Sequence, residues 1–314
     1  MKLYSLLVLA ATISWAQVKL TQAPDRIRIE IGGKHFSDYM ISADAPKPYL
    51  HPIRSASGKQ ISRSFPMDLV EGEKRDHPHH RGLWFSHGDV NGWDFWGNEK
   101  SQKGVGKGRG EIKVVKVKEL KSGKKSGSVS TLQDWIDGNG KRLLSESRTM
   151  TFYPDNAGVR SFDFDITLTA IEESIFGDTK EGVFALRLVR ALEEESTGTM
   201  TRADGSEKEK NVWGKRSPWV DYSGTLDGEK LGVAILDHPS NPRHPTYWHS
   251  RAYGLFAANI FGVHDFTKDK NTSVGNATLK PGETFRFRYR VMLHPGDVKS
   301  IDVPQEWKKF AALK

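Results

Sequence analysis

The chain has 314 residues, no cysteine and a formal net charge of +8. The missing thiols exclude disulfides, a cysteine nucleophile, thiolate metal sites and a lipidated amino-terminal cysteine, so stability has to come from a large apolar core. The charge is local: between Lys103 and Lys125, nine Lys or Arg stand against Glu111 and Glu119, giving that stretch +7. This does not mark a whole nucleic-acid-binding face. It reads as a solvated basic hairpin or a contact for an acidic polysaccharide or anionic surface.

In chain order, Lys2, the apolar run from Leu3 to Ile13 and Ser14-Trp15-Ala16 read as an export signal cleaved after Ala16. The run is too short for a spanning helix, which needs roughly 20 apolar residues. Residues 17–314 are expected to form a single all-β domain, a large antiparallel β-sandwich in the periplasm or outside the cell, with no membrane span. Arg26 to Ile31 alternates polar and apolar residues, and Gly32-Gly33 turns the chain. Glu111 to Leu120 changes phase between Val114 and Val115, which predicts a bulge. Ser161 to Leu168 puts Phe162, Phe164, Ile166 and Leu168 on one face. Phe285 to Leu293 puts Phe285, Phe287, Tyr289, Val291 and Leu293 on one face and Arg286, Arg288 and Arg290 on the other. Ser101 to Arg109 reads as a long loop and Glu172 to Asp178 as a helical turn. Pro304 to Lys314 reads as a terminal helix with Pro304 near its start.

Seven of the eleven histidines fall in two loop-rich windows, Asp76 to Trp96 and Asp237 to Arg251. Three readings compete. In the first, His80 and His249 form an acid/base pair, Arg81 and Arg251 stabilise anionic groups, and Asp94 and Asp221 orient the histidines or hold hydroxyls. In the second, His77, His79, His80 and His87 hold a divalent metal, although their spacing is no recognised signature. In the third, the histidines are satisfied in tight turns and the aromatics are core. No cofactor is otherwise expected. Sugar rings stack on aromatic faces and their hydroxyls need planar polar partners. That chemistry nominates Trp84, His87, Asn91, Trp96, Tyr222, His238, Asn241, Trp248 and Tyr253 as carbohydrate-binding residues.

The stretches His77 to Trp84, His87 to Gly92 with Asp94-Phe95-Trp96, Trp219 to Gly224 and Asp237 to Gly262 resemble a family of exported bacterial proteins labelled "methane oxygenase PmoA", and the resemblance covers nearly all of the mature chain. A mean hydropathy of −0.57 and the lack of any later apolar stretch of about 18 residues argue against methane oxidation in a membrane. The arrangement is also similar to the galactose-mutarotase-like supersandwich of sugar epimerases and some polysaccharide lyases. The resemblance implies a secreted carbohydrate-active enzyme of lyase, hydrolase or epimerase type, acting on a glycan-derived small molecule and not on nucleic acid. A non-catalytic carbohydrate-binding module and a histidine-dependent metal enzyme are the alternatives.

Overall fold

Residues 17–314 are described by the computed structural model, and the expected export signal, with its cleavage point after Ala16, lies outside them. The strands run β1 Val18–Gln22, β2 Arg26–Ile31, β3 Lys34–Met40, β4 Tyr49–His51, β5 Leu83–His87, β6 Glu111–Lys121, β7 Gly127–Ile136, β8 Arg142–Phe152 and β9 Arg160–Ala170. They continue as β10 Ser174–Phe176, β11 Gly182–Arg187, β12 Thr199–Arg202, β13 Trp219–Leu226, β14 Glu229–Asp237, β15 Tyr247–Trp248, β16 Leu255–Asn259, β17 Ala277–Leu279 and β18 Thr284–Pro295. Three short helices are α1 Glu209–Val212, α2 Val263–Thr267 and α3 Val303–Ala311.

The strands form two eight-stranded sheets, β1-β2-β3-β4-β5-β11-β16-β15 and β12-β13-β14-β18-β9-β8-β7-β6, with β10 and β17 as a separate pair. Every pairing within them is antiparallel. The inner faces interdigitate through aromatic rings: Phe36 meets Phe162 at 5.3 Å, Phe85 meets Phe287 at 5.2 Å and Phe184 stacks on Tyr289 at 4.4 Å. Burial of each such ring stabilises the sandwich by about 1.5–3 kcal/mol. The protein is therefore an all-β antiparallel sandwich.

Local patterns account for the elements. Gly32 and Gly33 both have positive φ, 58° and 75°, which a tight hairpin turn requires and which glycine adopts without a Cβ clash. In β6 the register shifts between Val114 and Lys116, where the sequence phase breaks, and again between Val117 and Glu119. On the outer face of β18, Arg290 pairs with Asp163 and Arg286 with Asp165 across the strand boundary. Arg288 is instead buried under the C-terminal helix and donates to the Leu313 carbonyl at 2.9 Å. That helix starts where Asp302 accepts from the Gln305 N–H and Pro304 occupies the first turn. Its Val303 and Phe310 cover Trp219, Leu236 and Met292.

One element differs from expectation. Glu172 to Asp178 contains no helical turn; Ser174–Phe176 is a strand paired with β17. The Asn91 side chain donates to the Glu173 carbonyl and accepts from the Ile175 N–H, holding this backbone extended, while Phe176 stacks on Phe261 at 5.2 Å. Residues 101–109 form the expected loop. Among the described residues, no helix is long and apolar enough to cross a membrane.

Candidate functional site

The inner face of the first sheet belongs to the core, so strand alternation sends Trp84 of β5, Ala185 and Arg187 of β11, and Leu255 and Ala257 of β16 outward. The small Ala185 and Ala257 leave room for indoles to lie over the strands. The first histidine window, with residues 102–105, Thr179, Glu181 and Tyr253, closes above them around a cleft of about 440 Å³, lined among others by His77, His79, His80 and Trp96. The rings form a column. Tyr253 stacks on His77 at 5.3 Å, His77 on His80 at 4.7 Å, and His80 on Trp84 at 5.2 Å. Trp96 leans on Trp84 at 4.9 Å. The first window thus meets Tyr253, two residues beyond the second window, and no residue from Asp237 to Arg251 lines the cleft.

Two buried arginines anchor this column. Arg187 donates to His80 Nδ1 (3.1 Å) and to Asp76 Oδ1 (3.1 Å), and its guanidinium lies 4.7 Å from the Tyr253 ring centre. Arg63 donates to the same carboxylate oxygen and to the His77 carbonyl (2.9 Å). Burial lowers the pKa of both guanidinium groups, with each other's charge adding to the effect at Arg63, which falls to about 10. On the other side Lys47 is fully buried and donates to the Trp96 carbonyl (2.8 Å) and Asn98 Oδ1 (2.7 Å); burial brings its pKa down to about 7.

The histidines of the cleft are held neutral. Burial lowers the His79 pKa to about 2, with the Lys47 charge adding, and takes His80 well below its ordinary value. An arginine N–H can only donate, so Nδ1 of His80 accepts and the proton of the neutral ring sits on Nε2. The same logic applies to His249, whose Nδ1 accepts from Trp213 Nε1 (2.9 Å) and whose pKa burial lowers to about 3. Both rings are therefore locked hydrogen-bond donors at Nε2 and not bases. Long-range proton–nitrogen NMR between pH 5 and 8 is expected to show both as Nε2–H tautomers that do not titrate. A ring titrating near its ordinary value would contradict the lock.

Carboxyl groups complete the cleft. Asp94 accepts from the backbone N–H groups of Trp96, Gly97 and Val105, and so pins the loops that carry Trp96 and Lys103. Glu181 has only the Lys180 ammonium, at 3.5 Å, as a side-chain partner. Burial raises the pKa of both carboxyls. Buried polar atoms near the cleft that lack a hydrogen-bond partner among the described residues include His77 Nδ1, Trp84 Nε1, Trp96 Nε1 and the Nε atoms of Arg63 and Arg187. Each such atom costs about 1–3 kcal/mol when left unpaired.

Of the residues nominated by sequence, His80, Asp94, Trp84, Trp96 and Tyr253 are at this cleft. His249 and Arg251 lie behind it: Arg251 pairs with Glu209 at 2.9 Å and packs on Trp213 and Tyr253. Others serve the fold instead. Asp221 projects from the second sheet, fully buried against His294 at 2.7 Å. Arg81 is bound by both oxygens of Glu99. His87 donates to the Gly177 carbonyl with its ring against Phe261. Asn91 ties two loops. Tyr222 and Trp248 are core rings whose polar atoms are taken by backbone groups. His238 and Asn241 bind Arg288, the one through its guanidinium and the other through its backbone, beside the C-terminal segment. The metal quartet does not form, because His77 and His80 stack nearly parallel, the Nδ1 of His80 is occupied and His87 faces the core. No group of three or more histidine or acidic residues among the described residues is arranged to hold a metal ion.

Sequence reasoning missed Glu181, Arg187, Arg63 and Asp76. Arg187 had a signal, since it ends Gly182–Arg187, a strand buried along both faces, and a charge there needs a partner inside. Glu181 sits among charged loop residues and had none.

An antiparallel sandwich with an aromatic, donor-rich cleft on the outer face of one sheet is the class of protein that fold and site define. The chain belongs to a family of unknown function, DUF6807, which matches residues 26–308. No curated protein matches it. Among solved structures it is similar to a galactose mutarotase related enzyme from Lactobacillus acidophilus, at 10% identity over 88% of this chain and 97% of that one, with a TM-score of 0.35. It is also similar to galactose 1-epimerase from Lactobacillus acidophilus, at 11% identity over 90% of this chain and 100% of that one, with a TM-score of 0.38.

Proposed function

We propose that this protein binds a carbohydrate in the cleft and moves a proton on it, as an epimerase or lyase acting outside the cytoplasm. The observation that carries this reading is the aromatic column that opens on the cleft at His77 and Tyr253, with one loosely held carboxyl, Glu181, beside it. Sugar C–H faces pack on the half-buried rings of His77 and Tyr253, which line the cleft. Glu181 accepts the proton from the substrate. The Nε2–H of His80, a neutral donor backed by Arg187, stabilises the oxygen on which negative charge develops. Glycosidic hydrolysis fits less well, because it calls on two available carboxyl groups and Asp94 is engaged by three backbone donors.

The test is a panel of neutral, oxidised and acidic sugars incubated with the protein in heavy water. Deuterium is expected to enter at a sugar carbon, and Tyr253→Ala is expected to weaken binding about tenfold or more through loss of a stacking face. Binding without exchange would replace the enzyme by a carbohydrate-binding module, and no binding to any sugar would remove the reading.

A further inference from the structure

A second hollow of about 830 Å³, adjacent to the first, lies between residues 43–46, the loop 93–109 and the turn 136–140. Its walls carry Lys100, Lys103, Lys107, Arg109 and Lys113 against Asp44, Glu111 and Asp137. The acids offset only part of the basic charge: five bases face three acids, a net charge of +2. Glu111 is spent on Lys113 at 2.7 Å, and Asp137 accepts the backbone N–H groups of Asn139 and Lys141. Among the described residues Lys100, Lys103, Lys107 and Arg109 have no carboxylate partner.

The Trp93 ring lines the same wall, and glycine at 138 keeps it packed closely, since a Cβ there would fall 2.4 Å from the indole edge. The loop is built and not loose: Asp94 holds the Val105 N–H, and Arg109 donates to the Glu99 carbonyl at 2.7 Å. Lys103 lines both hollows, so the groove runs into the cleft.

We propose that this groove holds the acidic groups of an anionic oligosaccharide whose reacting unit occupies the cleft. The proposal rests on the sugar reading of the cleft and adds the substrate's charge. Four unpaired cations beside an indole suit a carbohydrate chain bearing carboxylates or sulfates, with the cations meeting its charges and the ring its apolar faces. They are no match for a neutral glycan. The stretch of +7 in the sequence thereby divides in two: Lys103, Lys107 and Arg109 of the loop serve the ligand, and Lys116, Lys118 and Lys121 of β6 lie exposed outside the groove.

The experiment measures binding of oligogalacturonate, its neutral methyl ester, a sulfated oligosaccharide and duplex DNA to the full protein by tryptophan fluorescence at several salt concentrations. The comparison variant is K100Q/K107Q, with circular dichroism confirming its fold. The free acid or the sulfated chain is expected to bind about tenfold more tightly than the ester at low salt, and the variant to lose that margin and its salt dependence. Which of the two anionic chains binds more tightly identifies the anion. Equal affinity for acid and ester, an unaltered variant, or DNA binding as tight as the glycans would each overturn the proposal. Deuterium exchange separates the two readings. Acid-dependent binding without exchange keeps the groove and sinks the enzyme, whereas exchange on neutral sugars untouched by K100Q/K107Q keeps the enzyme and sinks the groove.

Discussion

Glu181→Gln is expected to lower turnover of the sugar substrate by about 10²–10⁴, which is roughly 3–5 kcal/mol of barrier, while leaving substrate affinity within a few-fold. The amide keeps the size of the carboxyl and its place before β11, but it cannot take a proton. The effect should fall on kcat and not on KM, because the lost interaction forms only as the proton moves. Burial raises the Glu181 pKa above 4.5. A base must be ionised, so wild-type kcat/KM should rise with pH through a transition above that value, and the acid limb should vanish in the variant. An unchanged pH profile in Glu181→Gln would take the proton-transfer role away from this residue.

Asp221→Ala is expected to cost about 3–5 kcal/mol of stability, read from the midpoint of urea unfolding at unchanged slope. The sequence nominates Asp221 for catalysis, yet it lies fully buried in the second sheet with its Oδ2 2.7 Å from His294 Nε2. Removing it strands an imidazole in an apolar surround. Asp221→Asn should lose less, since an amide can still accept a hydrogen bond from the ring. The pH dependence has a definite sign. Burial opposes the His294 cation, but the hydrogen bond and charge of Asp221 outweigh it and raise the pKa above 6.5. The extra stability is therefore fully present below pH 6.5 and is lost as pH rises through the folded-state value. The gap between wild type and Asp221→Ala should be widest in mild acid and narrow in alkali.

Much of the fold was legible because one-sided burial imposes a two-residue period. Phe285 to Leu293 and Ser161 to Leu168 alternate cleanly since each has one face in the core and one bearing ion pairs. Asp302 and Pro304 punctuate the last helix at short range. Chemistry spread over long separations was harder to read. Asp221 looks reactive beside Tyr222, but its partner His294 is 73 residues away, and nothing near either residue announces the pair. The window holding His80 was visible, and Tyr253 was nominated from just beyond the second window, but their stacking through His77 was not legible. His249 carried the right residue type in the right window, yet the turn at 249–255 puts Tyr253 forward and His249 behind Trp213.

The strand β6 ends its sheet with two bulges and a row of lysines, Lys113, Lys116, Lys118 and Lys121. An uncovered sheet margin is where one molecule could add to another, strand upon strand, and begin a fibre. Here an incoming strand would find its ladder of hydrogen bonds interrupted twice and a charged, exposed row of side chains to desolvate, with Lys116 and Lys118 free of any carboxylate partner among the described residues. The protein thereby guards its open margin against polymerisation at high concentration without a covering helix.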